Sequence, residues 1–89
     1  MGKLDVFSIS GVEMWFWSAD HLPPHFHAKR PGEWEIRVYF LESQESHLAF
    51  DVRWGAGPNG KMRGALAELV VKHREALYEE WCRKTGLED

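Results

Sequence analysis

The chain is 89 residues long, 44% hydrophobic and 13% aromatic with five tryptophans, enough ring area to core one small domain over residues 1–89. Its formal net charge of −3 and pI near 5.9 exclude a protein that coats nucleic acid by bulk attraction, while leaving room for a local basic patch. No stretch has the length and apolarity of a membrane span, Met1-Gly2-Lys3-Leu4-Asp5 is no signal peptide, and the lone Cys82 closes no internal disulfide, which together predict a cytoplasmic protein.

Strands are expected between about residues 4 and 54. Val12 to Ser18 is dense in strand-forming aromatics. Met14 and Phe16 fall on one face and Trp15 and Trp17 on the other, so both faces need cover. After the break at Pro23-Pro24, His25 to Arg30 can run as a second strand, with His25, His27 and Lys29 on one side and Phe26 and Ala28 on the other. Pro31-Gly32 is a turn signal. Trp34, Ile36, Val38 and Phe40 then alternate inward against Glu35, Arg37 and Tyr39, which predicts a hairpin.

Glu42 to Ser46 reads as a polar turn. Leu48, Phe50, Val52 and Trp54 alternate with Ala49, Asp51 and Arg53, a further strand with a polar outer face. Gly55-Ala56-Gly57-Pro58-Asn59-Gly60 ends it, and Asn59 is placed to cap a helix. From about residue 60 to 84 the period is helical, with Met62, Leu66, Leu69, Val70, His73, Leu77 and Trp81 in one stripe. Glu79 faces Arg83 and Glu80 faces Lys84 at four-residue spacing, and Gly86 is the stop. The fold class is therefore α+β: an antiparallel sheet of three or four strands packed against one long C-terminal helix.

The chemistry concentrates in Asp20-His21-Leu22-Pro23-Pro24-His25-Phe26-His27-Ala28, which holds three of the five histidines. Two prolines stiffen the backbone between the imidazoles. On a strand, His25 and His27 share a face about 6–7 Å apart. With His21 and Asp20 from the adjoining turn they make a ligand set suited to Zn²⁺, or to Fe²⁺ or Ni²⁺, and an open coordination position there would activate water. Two other readings stand beside that one. The histidines can close a structural corner by bonding backbone carbonyls. Or the corner is a surface for a ligand or partner, with Lys29 and Arg30 beside it.

The rest of the chain is plainer. Arg37, Arg53 and Tyr39 on outward faces, with Lys29 and Arg30, could stack single-stranded nucleic acid. Glu33, Glu35 and Asp51 interleave with them, as solvated cross-strand ion pairs do. Lys61 and Arg63 near a helix start are common without a phosphate. Gly55-x-Gly57-x-x-Gly60 lacks the parallel βαβ context of a dinucleotide site. His73 reads as a core histidine, His47 is isolated, and no spacing pairs a general base with Cys82.

The nine-residue stretch from Asp20 to Ala28 resembles the signature of a bacterial family, that of the domain of unknown function 4160. His73-Arg74-Glu75-Ala76-Leu77-Tyr78-Glu79-Glu80-Trp81 is similar to that family's helix end. Many members enter the helix through a short Gly-x-Leu-Pro turn, where this chain has its glycine-rich Trp54 to Met62 segment. The resemblance implies strands first and one helix last, and a small protein partner encoded nearby, in a two-gene module resembling a toxin–antitoxin pair. Two functions follow as expectations. The first is a non-enzymatic interaction module, acting on that partner or by self-association. Its binding surface would comprise Asp20, His21, Pro23, Pro24, His25, His27 and Lys29, with Trp15 and Trp17 as contacts. The second is a metal-dependent hydrolase or nuclease, with zinc or another divalent transition metal on His21, His25, His27 and Asp20.

Overall fold

A computed structural model describes residues 2–87. Five antiparallel strands run in chain order across one sheet: β1 (Gly2–Lys3), β2 (Glu13–Phe16), β3 (Phe26–Arg30), β4 (Trp34–Val38) and β5 (Phe50–Gly55). Two helices follow, α1 (Gly60–Lys72) and α2 (Arg74–Thr85). The α+β class holds, with two corrections: the sheet has five strands, and the helix is two.

The core forms where the apolar periods meet. Met14 and Phe16 of β2, Phe26 and Ala28 of β3, and Trp34, Ile36 and Val38 of β4 are buried on one face of the sheet. Leu66, Ala67 and Val70 of α1 and Leu77 and Trp81 of α2 are buried with them. Met62, Leu69 and His73 of the predicted stripe are only half-buried. Asn59 caps α1 as expected, its Oδ1 accepting from the Met62 N–H at 2.9 Å. Gly86, at φ 73°, ends α2 in the left-handed conformation.

The helix break is a single residue. His73 leaves helical geometry at φ −111°, ψ 18°. The i to i−4 bonds nevertheless continue on either side, His73 N–H to Leu69 at 3.0 Å and Leu77 N–H to His73 at 2.9 Å. The apolar stripe keeps its phase through this kink, so periodicity alone does not reveal it. Beyond it the Arg74 guanidinium donates to the carbonyls of Phe40 and Ser43, tying α2 to the loop after β4.

Strand β1 is too short for any alternation to show. It is held from the other end of the chain. Lys84 Nζ donates to the Lys3 carbonyl at 2.6 Å, and the buried Glu80 carboxylate accepts the Asp5 N–H at 2.9 and 3.1 Å. Glu80 and Lys84 do pair, at 2.6 Å, but Glu80 is inside, where it also satisfies backbone. Arg83 pairs with Asp5 at 3.4 Å.

Strand β5 departs from its predicted phase. Ile36 pairs with Val52 but Glu35 pairs with Trp54, a register shift that leaves Arg53 as an extra residue. Trp54 therefore sits across from an outward residue and is 41% exposed, and Val52 is 47% exposed. Gly55 is required where it is. At φ +81°, any Cβ would lie 2.2 Å from the Glu33 carbonyl oxygen.

Candidate functional site

The segment from Asp20 to Ala28 joins β2 to β3 by a corner folded back over the outer side of the sheet. A turn begins it: the Asp20 N–H donates to the Trp17 carbonyl, and Asp20 Oδ2 accepts from the Trp17 N–H, both at 3.2 Å. Leu22–Pro23 is a cis bond, Pro23 is exposed, and Pro24 and His25 are buried. The chain then enters β3, whose alternation turns Phe26 and Ala28 into the core and His27 outward, opposite Trp15 of β2 and Arg37 of β4.

The Asp20 carboxylate closes the corner. Its Oδ2 lies 3.0 Å from His27 Nε2 and 3.5 Å from His25 Nε2, and ligating atoms of these three residues all fall within 4.8 Å of one another. Their side chains are almost hidden, at 13%, 5% and 1% exposure for Asp20, His27 and His25. His21 is not brought into the group: its ring is exposed, and its Nδ1 donates to the Leu22 carbonyl at 3.0 Å.

Hydrogen bonding fixes where the protons sit. A carbonyl can only accept, so His25 Nδ1, 2.9 Å from the Pro23 oxygen, carries a proton. In the neutral ring His25 Nε2 is then a buried lone pair facing Asp20 with no hydrogen-bond partner. The His27 Nε2–H donates to Asp20, which leaves His27 Nδ1 buried and unpartnered. Burial pushes His27 below its ordinary 6.5, against the opposing pull of the Asp20 bond.

Aromatic rings make the walls. Trp15 stacks on His27 at 5.4 Å and 13°, and Trp17 meets the same imidazole edge-on at 6.3 Å. His25 rests against Trp81 of α2 at 5.5 Å and Tyr39 at 5.6 Å. The sequence placed Tyr39 on an outward sheet surface and Trp81 in the helix stripe, and grouped neither with the corner. Nothing in the spacing of Trp81 says that α2 ends beneath the corner. Tyr39 is tied further by its hydroxyl, which donates to Asp51 at 2.8 Å.

The corner thus reverses the arrangement of an ordinary surface loop. The imidazoles of His25 and His27 and the Asp20 carboxylate point in, while Trp17 and Leu22 are 43% and 45% exposed. Beside Trp17 a groove of about 660 Å³ runs along β2, lined by Leu4, Phe7, Val12, Met14, Trp15 and Trp17. Lys29 also borders this groove, set between Glu13 and Glu35 on the neighbouring strands, and takes no part in the histidine group.

On the other surfaces considered from sequence, several side chains face neighbours of the same chain. Arg37 lies in register between His27 and Asp51, and Lys29 opposite Glu35, as cross-strand pairing of opposite charges requires. Arg63 donates to the Pro58 carbonyl at 2.7 Å, turned onto the loop before α1. His73 packs its ring 5.7 Å from Phe7 at the helix kink.

Among the described residues no helix is long and apolar enough to cross a membrane. No curated protein and no solved structure matches the chain. A family model does match it over residues 11–82, from the approach to β2 through the corner and nearly to the end of α2, and the chain accordingly belongs to the family of the domain of unknown function DUF4160.

Proposed function

We propose that this protein is a non-enzymatic interaction module of the cytoplasm. Its corner presents Trp17 and Leu22, with Trp15 and the adjoining groove, to a small protein partner encoded nearby, as in a toxin–antitoxin-like pair. The observation that carries this is the inversion at the corner. A loop free to choose would expose Asp20, His25 and His27 and hide Trp17 and Leu22. Here the polar groups are spent inward, holding backbone and each other, and the apolar side chains face water.

The test is co-expression with the product of the neighbouring gene, followed by gel filtration. The wild-type pair is expected to co-elute. Trp17→Ala combined with Leu22→Ala should separate the two while leaving this protein folded by circular dichroism. A pair that never forms, or a double variant that binds as wild type, refutes the proposal.

One observation favours a second reading, a divalent transition ion on Asp20, His25 and His27. His25 Nε2 is a buried ring nitrogen without a hydrogen-bond partner, and its Nδ1 is held by a carbonyl in the manner of metal-bound imidazoles. Two ligands about 2.1 Å from a tetrahedral ion stand about 3.4 Å apart. The 3.0 and 3.5 Å separations from Asp20 Oδ2 are near that value. Such an ion, when bound, supplies Lewis acidity. Against this, His27 would have to move its proton from Nε2 to Nδ1, which has no acceptor beside it. The burial of His25 and His27, with Asp20 only 13% exposed, also favours an ion that staples the corner over one that meets a hydrolase or nuclease substrate. Elemental analysis of tag-free protein decides. Near-stoichiometric metal, with a melting point that rises on adding Zn²⁺ in wild type but not in His25→Ala, supports the ion. A metal-free protein indifferent to Zn²⁺ removes it.

A further inference from the structure

We infer that β5 is a self-complementary edge through which two copies of this chain pair, about a two-fold axis at Val52. The strand order leaves β1 and β5 as the edges of the sheet. β1 is two residues long, but β5 is six, the longest strand, and its residues from Asp51 to Gly55 are exposed. A long edge carrying exposed Val52 and Trp54 offers unpaired backbone groups and apolar side chains together, and the bulge at Arg53 is its one blunting feature.

What selects a second copy is the order of charges. Asp51-Val52-Arg53 reads as its own antiparallel complement. Pairing about Val52 sets Asp51 opposite the partner copy's Arg53, Val52 opposite Val52, and Arg53 opposite Asp51. Opposite charges face twice and an apolar pair sits on the axis. Arg53 makes no ion pair or hydrogen bond among the described residues, so its guanidinium is available for the contact. Any one-residue slip would bring an arginine or an aspartate against valine and lose both charge pairs. A single strand pair buries less than the roughly 1,000 Å² of a stable interface, so the dimer is weak, on the order of 100 µM, and weaker at high salt.

Sedimentation velocity over a concentration series tests this. Wild type is expected to pass from monomer to dimer, with the transition moving at least about threefold higher in concentration in 0.5 M salt. Arg53→Asp and Asp51→Arg should each be monomeric alone, because each places like charges together twice. Mixed, they should form a one-to-one heterodimer, since every facing pair is then opposite in sign. Asp51→Arg loses the Tyr39 hydroxyl bond; if it fails to fold, Val52→Lys, which sets two ammonium groups on the axis, is expected to be monomeric. Wild type that stays monomeric to 1 mM overturns the inference, whether or not a strand of some other protein occupies the edge. So does a folded mixture with no heterodimer, or a Val52→Lys variant that dimerises as wild type. Trp17→Ala should leave the dimer intact, which separates this edge from the corner.

Discussion

Asp20→Ala removes the group on which the corner closes. Two hydrogen bonds disappear. The His27 Nε2–H, on a residue only 4% exposed, is left without an acceptor. An orphaned buried donor of that kind costs about 1–3 kcal/mol. The Trp17 N–H, in an exposed turn, loses its carboxylate but can turn to water, a loss nearer about 0.5–1 kcal/mol. The expected destabilisation is therefore about 1.5–4 kcal/mol, a large part of the total for a chain of this size. Urea unfolding followed by tryptophan fluorescence measures it, with Trp15 and Trp17 reporting from the site itself. In a thermal melt the same loss lowers Tm by at least about 6 °C. Asp20→Asn, which keeps one acceptor oxygen, should fall between wild type and the alanine variant. A loss under about 0.5 kcal/mol for Asp20→Ala would mean that the carboxylate does not hold the corner.

Three further outcomes are expected. Because burial holds His27 below 6.5, the unfolded chain takes up a proton that the folded one refuses, so the stability from the neutral ring is complete above about pH 6.5 and is lost as pH falls below it. Urea midpoints measured in EDTA should decline from about pH 7.5 to 5, less steeply in His27→Gln, and a midpoint that rises on acidification contradicts the burial argument. Gly55→Ala would force a Cβ into the Glu33 carbonyl at a φ of +81°, and a cost above about 2 kcal/mol in urea is expected; a neutral substitution would show that β5 is free to shift. Trp17→Ala, at a side chain 43% exposed, should cost no more than about 1 kcal/mol, so a collapse of the fold would mean that Trp17 is core rather than contact surface.

Local patterns were legible wherever one physical cause dominated. The hairpin of β3 and β4 could be read from clean alternation on either side of Pro31-Gly32, and α1 from its Asn59 cap. The gathering of Asp20, His25 and His27 was legible because the stiff proline pair and the two-residue spacing leave few alternatives. Three features were not. Strand β1 owes its place to Lys84 and Glu80, some eighty residues away, and carries no pattern of its own. The phase of β5 turns on a single extra residue at Arg53, which reverses the side on which Trp54 emerges. His21 was grouped with the other histidines by proximity in sequence, yet its Nδ1 bonds its own neighbour's carbonyl, and though its ring lies 5.8 Å from that of His25 it contributes no atom to the Asp20, His25 and His27 group. That the carboxylate and imidazoles face inward while Leu22 faces outward depends on what α2 and Tyr39 place against His25, and no local spacing encodes it.

Hydrogen–deuterium exchange on the complex with the neighbouring gene's product addresses the interaction module most directly. Slowed exchange confined to residues 17–22 and the groove along β2, with β5 and the helices unchanged, is the footprint predicted. Unchanged exchange at 17–22, with slowing over the helices or over β5 instead, would contradict the corner as the binding surface.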